Sequence, residues 1–235
     1  MLIVHKRPFY TGLVMAVGFA GVLLIMFLPV VRGQTPLQAS DDLFNSVSKH
    51  SSYYIPALRE HAEAYRSAPL DMRLTLPEGP EVAGNAAAVL KADGAEASAN
   101  GAVLTLKGNL GPLLAKTLDD TEEAFNNSKD VASGPGLGAR EVMYARWSTL
   151  KQVYKELRAK SDFEKAAAVE EVTSKGVEVA YNFYGIVPKA ASANVGILSL
   201  ALVFYLVYTM WWGYAIMWLC DGIGLQMKAS GKREH

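Results

Sequence analysis

Residues 194–220, NVGILSLALVFYLVYTMWWGYAIMWLC, carry no charge, and away from the ends their only side-chain polarity is hydroxyls and indole nitrogens. At about 1.5 Å per residue, a helix of this length crosses a hydrocarbon layer of about 30 Å. Buried helices of water-soluble domains are usually shorter and interrupted by charge. The run is therefore expected to be a membrane span, and the rest of the chain has to be arranged around it.

A second apolar run, residues 12–31, GLVMAVGFAGVLLIMFLPVV, follows a short head bearing His5, Lys6 and Arg7 and no acid. Val30, Arg32 and Gly33 lie near a small-residue cleavage pattern, but the run exceeds the roughly 7–15 residues of a secretory leader. An uncleaved anchor is the expectation. Basic residues flank the outer side of both runs: Lys6 and Arg7 before the first, Lys228, Lys232 and Arg233 after the second. The positive-inside rule then puts residues 1–11 and 221–235 in the cytoplasm and residues 33–193 on the opposite face, as in a bacterial inner membrane.

Within the first span, Gly12, Ala16 and Ala20 recur every four residues, a row of small side chains that lets another helix approach closely. In the second, Phe204, Trp211 and Trp218 recur every seven, with Tyr205, Tyr208 and Trp212 in a neighbouring row. Anchoring alone would place aromatics at the two interfaces, whereas these run through the middle. Gly12, Ala16, Ala20, Phe204, Tyr208, Trp211 and Trp218 are the helix-packing candidates. Lipid contact along the aromatic row is the competing reading, and a bound lipid or quinone there is the one cofactor question left open.

Between the spans the periodicity changes several times. Ser40, Asp41 and Asp42 read as a helix start, and a helix to about Arg66 is expected, bent at Pro56. DMRLTL (71–76) alternates apolar and polar like a half-buried strand. An alanine-rich helix from Glu81 to Asp93 ends at Gly94, and two short strands meet at Asn100-Gly101, a strong hairpin signal. Asn109 is expected to cap a helix to Asn126, with Asp119, Asp120, Glu122 and Glu123 on a solvated face. The β-α-β-β-α order over 71–126 resembles a truncated ferredoxin-like unit in pattern, which by itself implies no activity.

After the glycine-rich loop 128–138 come two helices. Met143, Trp147, Leu150, Tyr154 and Leu157 form a heptad-like stripe on the first; Phe163, Ala166, Val169, Val172, Gly176, Val179 and Phe183 form the inner side of the second, over 162–184. Tyr181, Phe183 and Tyr184 form an aromatic group before the chain re-enters the interface. The expected fold class is a membrane protein with two transmembrane helices and an α+β extracytoplasmic domain, a small β-α-β-β-α unit plus a helical bundle.

Composition removes several function classes. Twenty-three Lys and Arg balance twenty-three Asp and Glu, so nothing suggests a nucleic-acid partner. The single cysteine, Cys220, lies at a span end, which leaves the 33–193 segment without disulfides or thiolate metal sites. Neither apolar run contains histidine, so the two spans alone offer no pair of axial haem ligands. His50 and His61, about 16 Å apart on a continuous helix, are too far apart to share a metal. The glycines of loop 128–138 fit neither a P-loop nor a dinucleotide fingerprint.

With no catalytic set in view, the expected function is a non-catalytic accessory or structural subunit of a larger inner-membrane complex. Its partners would be integral membrane subunits and the lipid bilayer. An extracytoplasmic ligand sensor signalling through a partner is one alternative, and a membrane-anchored assembly factor is another.

Overall fold

The structure is a computed structural model describing residues 3–129, 131 and 136–225. The basic tail beyond Leu225, and positions 130 and 132–135 of the glycine-rich loop, lie outside the described residues. The chain divides into two units, residues 1–44 with 189–235, and residues 45–188.

The first unit is built on helices α1 (Lys6–Met26) and α9 (Val195–Gly222), both long and apolar enough to cross a membrane. Helix α1 starts earlier than residue 12 and stops before residue 31. Pro8 is tolerated in its first turn, whereas Pro29 has no N–H with which to continue the helix and disfavours helical geometry before it. Beyond it, Arg32 and Gly33 both take positive φ, at 49° and 86°, forming a tight two-residue turn. Val31 and Gln34 pair across that turn through reciprocal backbone bonds of 3.0 and 2.9 Å. Positive φ at both turn residues is the geometry of a type I′ turn.

Helix α2 (Pro36–Ser51) begins four residues before the Ser40 expected from sequence. Its signal is the Thr35-Pro36-Leu37-Gln38 stretch. Thr35 Oγ accepts from the Gln38 N–H at 3.1 Å, and the Gln38 side chain accepts from the Thr35 N–H at 3.0 Å, a reciprocal capping box with proline at the first helical position. Ser40 is an interior residue donating back to Pro36 O. Residues 52–54 then break the expected 40–66 helix, and α3 (Ile55–Glu63) restarts with Pro56 in its first turn.

The 45–188 unit holds the only sheet among the described residues: β1 (Pro69–Thr75), β2 (Glu96–Asn100) and β3 (Val103–Asn109), in order β1-β3-β2, all neighbours antiparallel. The edge strands β1 and β2 are therefore parallel to each other with β3 inserted between them, and helix α4 (Pro80–Ala92) makes the crossover. Leu70, Met72 and Leu74 of β1 and Leu104 and Leu106 of β3 turn to one face. There α4 lies against β3, and helix α6 (Ala139–Ala159), rather than the second helix of the sequence pattern, lies against β1. The hairpin turn is Gly101-Ala102, with Gly101 at φ 58°, because Asn100 pairs with Val103 and still belongs to β2.

Helix α5 (Leu110–Phe125) follows β3 directly. Asn109 occupies its N-cap position but makes no side-chain cap bond. The first helical N–H groups donate instead to backbone carbonyls, Leu110 to Ala68 at 2.8 Å and Gly111 to Tyr65 at 2.9 Å. That approach requires glycine, since a Cβ on residue 111 would lie 2.5 Å from Arg66 Cα.

Helix α6 is more than a stripe. Val142, Ala145, Arg146, Ser148, Thr149 and Val153 are buried alongside Met143, Leu150 and Leu157, which makes it the central helix of the unit. The expected continuous helix 162–184 is α7 (Phe163–Val172), a π-helical turn (Thr173–Val177) and α8 (Glu178–Asn182). Asp162 caps α7 by accepting from the Lys165 N–H. The wide turn shifts the buried face after it, so Val177 and Ala180 are inside while Val179 is only partly covered; Phe163, at the start of α7, is exposed.

Candidate functional site

Helices α1 and α9 run antiparallel and touch where glycine replaces a side chain. A Cβ on Gly12 would sit 2.7 Å from Leu219 N, and one on Gly222 would sit 2.5 Å from Phe9 Cα. Two polar side chains close onto backbone carbonyls across the pair: Trp211 Nε1 donates to Met15 O at 3.0 Å and the Tyr208 hydroxyl to Phe19 O at 3.2 Å. The rings of Phe19 and Tyr208 stack with centroids 4.0 Å apart, and Phe204 and Trp212 continue the stack to either side.

The seven sequence candidates therefore divide. Gly12 is buried and Ala16 half-buried, with Gly12, Tyr208 and Trp211 at the α1–α9 contact within one chain. Ala20, Phe204 and Trp218 are exposed. The residues that complete the contact, Phe19, Ala215 and Gly222, lay outside the four-residue row; the row of buried Gly12 and half-buried positions 9, 16 and 19 follows helical phase more closely. Large apolar side chains such as Leu202, Tyr205 and Trp212 cover the outside of the pair.

In the 45–188 unit an open groove of about 930 Å³ lies between α3, α6 and α7, lined among others by His61, Tyr65, Arg158, Phe163, Glu171 and Lys175. Glu171 bridges two of its basic residues, 3.0 Å from His61 Nδ1 and 2.8 Å from Lys175 Nζ. The Lys175 ammonium, and after it His61, hold the Glu171 carboxyl below its usual range, and Glu171 in turn raises Lys175. The π-helical turn brings Ser174 and Lys175 to this wall, and the Ser174 hydroxyl donates to Glu170 O at 2.8 Å. On the other side of α3, Arg59 clasps Asp119 and Glu122 at 2.6 and 2.9 Å, and the Tyr53 hydroxyl donates to Glu122 at 2.6 Å. Hydrogen bonds from Tyr53 and then Arg59 lower the Glu122 carboxyl, and the same bond raises the Tyr53 phenol.

The carboxylates expected on a solvated face of α5 are thus not all solvated. Asp120 is 1 % exposed. It accepts from Arg146 Nε at 2.9 Å and Nη2 at 2.7 Å, while Arg146 also reaches Asp93 at 2.9 Å. The correction is legible in helical phase, because Asp120 lies seven residues after Leu113 and four before Ala124 on the buried row.

A second buried cation, Lys49, donates to Asn127 Oδ1, Phe183 O and Ile186 O at 2.9, 3.1 and 2.7 Å. Asn127 has φ 62° as the residue closing α5, which frees its amide to bind Gly185 N–H and Ile186 O as well. Burial lowers the Lys49 ammonium from its usual value. Nothing in the α2 pattern distinguishes this lysine from a solvated one.

A smaller pocket lies where α6 meets α8. Tyr144 and Trp147 stack at 5.7 Å, Tyr181 lies 6.4 Å from Tyr144, and Trp147 Nε1 donates to Glu178 at 2.8 Å. Tyr184, from the same sequence group as Tyr181, packs on the core and donates to Ser128 O at 3.0 Å. Among the described residues no group of three or more His, Cys, Asp or Glu is placed to hold a metal. No family model matches the chain, and no curated protein and no solved structure matches it.

Proposed function

We propose that this chain is a membrane-embedded accessory subunit whose two apolar helices form a hairpin packed on integral partner subunits, with residues 45–188 folded on the extracytoplasmic side. The observation that carries the reading is the surface of the helix pair. Gly12, Gly222, Tyr208 and Trp211 are spent on the contact between α1 and α9, yet Phe204 and Trp212, at 42 % exposure each, still face outward near mid-helix. Aromatic side chains at that depth gain most from packing on another helix. Lys6 and Arg7, in the first turn of α1, support cytoplasmic termini.

The test uses the outward row. Phe204→Ala with Trp218→Ala is expected to reduce recovery of co-purifying integral proteins several-fold after mild detergent extraction, without loss of the chain itself from the membrane. Unchanged recovery would count against this face.

The groove beside His61, Glu171 and Lys175 favours a second reading, an extracytoplasmic sensor that signals through a partner. That reading requires a small molecule that raises the melting temperature of the full chain and whose effect is lost in Lys175→Met.

A further inference from the structure

The pocket at the α6–α8 junction takes no part in the proposed subunit role. Its volume is about 260 Å³, and Tyr144, Trp147, Val177, Glu178, Tyr181 and Asn182 line it. Three aromatic rings converge there. Tyr144 and Trp147 are nearly parallel, at 17°, and Tyr181 is tilted 38° to Tyr144. Tyr144 and Tyr181 are each 38 % exposed, so the aromatic group reaches the surface. One carboxylate, Glu178, serves the group, fixed by the Trp147 indole N–H.

The molecule already places a cation at this edge. Lys151 Nζ lies 3.6 Å from Glu178 and 5.8 Å from the Trp147 ring centroid. Ring faces carry negative quadrupole potential, and Glu178, shared at present with Lys151, supplies a counter-charge that a bound cation would compete for. A primary ammonium from solution would need several acceptors to replace its water. The pocket offers it one carboxylate, already shared, an amide and two phenol oxygens, while three of its six lining residues present aromatic rings that cannot replace water for an N–H. A quaternary ammonium has no N–H to satisfy and leaves water at lower cost.

We propose that this pocket binds a trimethylammonium group, with Tyr144, Trp147 and Tyr181 supplying its aromatic wall and Glu178 the counter-charge. The group can come from a free solute or from a choline lipid headgroup.

The test titrates the full chain, in a maltoside detergent, with choline chloride against sodium chloride of equal ionic strength, observing saturation transfer to the N-methyl protons by NMR. Binding is expected to saturate with a Kd on the order of millimolar, as a few cation–π contacts provide. The neutral isostere 3,3-dimethylbutanol should not compete. Tyr181→Ala and Glu178→Gln should each weaken binding about five-fold or more, and Lys151→Met should tighten it by removing the competing cation. Glycerophosphocholine distinguishes the sources: binding at least equal to choline assigns the headgroup, and rejection assigns the free solute. Absence of saturable binding by both choline and glycerophosphocholine would overturn the proposal. So would equal competition by the neutral isostere, or weaker binding in Lys151→Met.

Discussion

The two units solve the same packing problem with opposite materials. In the 45–188 unit, a core of leucine, valine and alanine is closed, and the charges caught inside, Arg146 and Lys49, are ringed by acceptors. The α1–α9 pair holds together by removing side chains at Gly12 and Gly222 and by sending Trp211 and Tyr208 onto carbonyls. Almost everything else on it points outward and is apolar. A surface of that kind is stable where the surroundings are themselves apolar, whereas the other unit is finished against water.

Breaking the ion set should give the largest effect. Arg146→Met leaves Asp93 and Asp120 buried without their cation, and about 3–5 kcal/mol of unfolding free energy should be lost. Chemical denaturation of the detergent-solubilised chain measures this, and a loss below about 1 kcal/mol would mean that water reaches the pair. Lys49→Met sharpens the contrast within the same unit. Each of its acceptors keeps another donor: Gly185 N–H for Asn127 Oδ1, Ile186 N–H for Phe183 O, and the Asn127 amide for Ile186 O. With no carboxylate left behind and the cost of a buried ammonium removed, the change should stay within about 1 kcal/mol.

The next effects arise from glycine. Gly111→Ala forces a Cβ to within 2.5 Å of the Arg66 backbone and should cost the 45–188 unit about 1–3 kcal/mol in the same denaturation experiment. Gly12→Leu should open the helix pair and leave the melting of 45–188 unchanged. The readout is oxidative cross-linking between cysteines replacing Phe19 and Tyr208, with Cys220 changed to serine. The yield should fall several-fold, and an undiminished yield would show that the Gly12 contact does not hold the pair.

How much of this could be read from residues alone depended on whether the signal was local. The two apolar runs, the β1 alternation, Gly94 ending α4 and the Asp162 cap are local and were legible. The Thr35–Gln38 box was legible too, but Ser40 with two acids after it mimicked the same signal. What escaped needed tertiary partners. The cap of α5 comes from carbonyls of Tyr65 and Ala68, and the packing of α6 on β1 joins segments some seventy residues apart. The π-helical turn changes phase in a helix whose sequence reads evenly through. Among site residues, Asp120 and Arg146 were recoverable from helical phase, and Lys49 was not. The small-residue row was informative at Gly12, but only pairing with α9 separates it from Ala20.

The smallest predicted effect is a pH response. The Glu122 carboxyl is held below its ordinary 4.5 when folded, so its contribution is present above that value and is lost as pH falls through the lower folded one. Tyr53, raised above its ordinary 10.0, contributes below that value and loses its share as pH rises through the higher one. Both groups are partly exposed, so each end of the stability profile should bend only slightly. Glu122→Gln should remove both bends, and an unaltered profile would separate this cluster from the stability of the unit.

A subunit role requires above all that the outward face of the helix pair have a partner. The direct measurement is the mass of the native chain extracted in a mild detergent, by size exclusion with light scattering and mass spectrometry of what remains bound. The expected result is a defined assembly containing other integral membrane proteins, well above the 25.4 kDa of one chain. Recovery as a bare monomer, with only lipid and detergent on Phe204, Trp212 and Trp218, would contradict a subunit role.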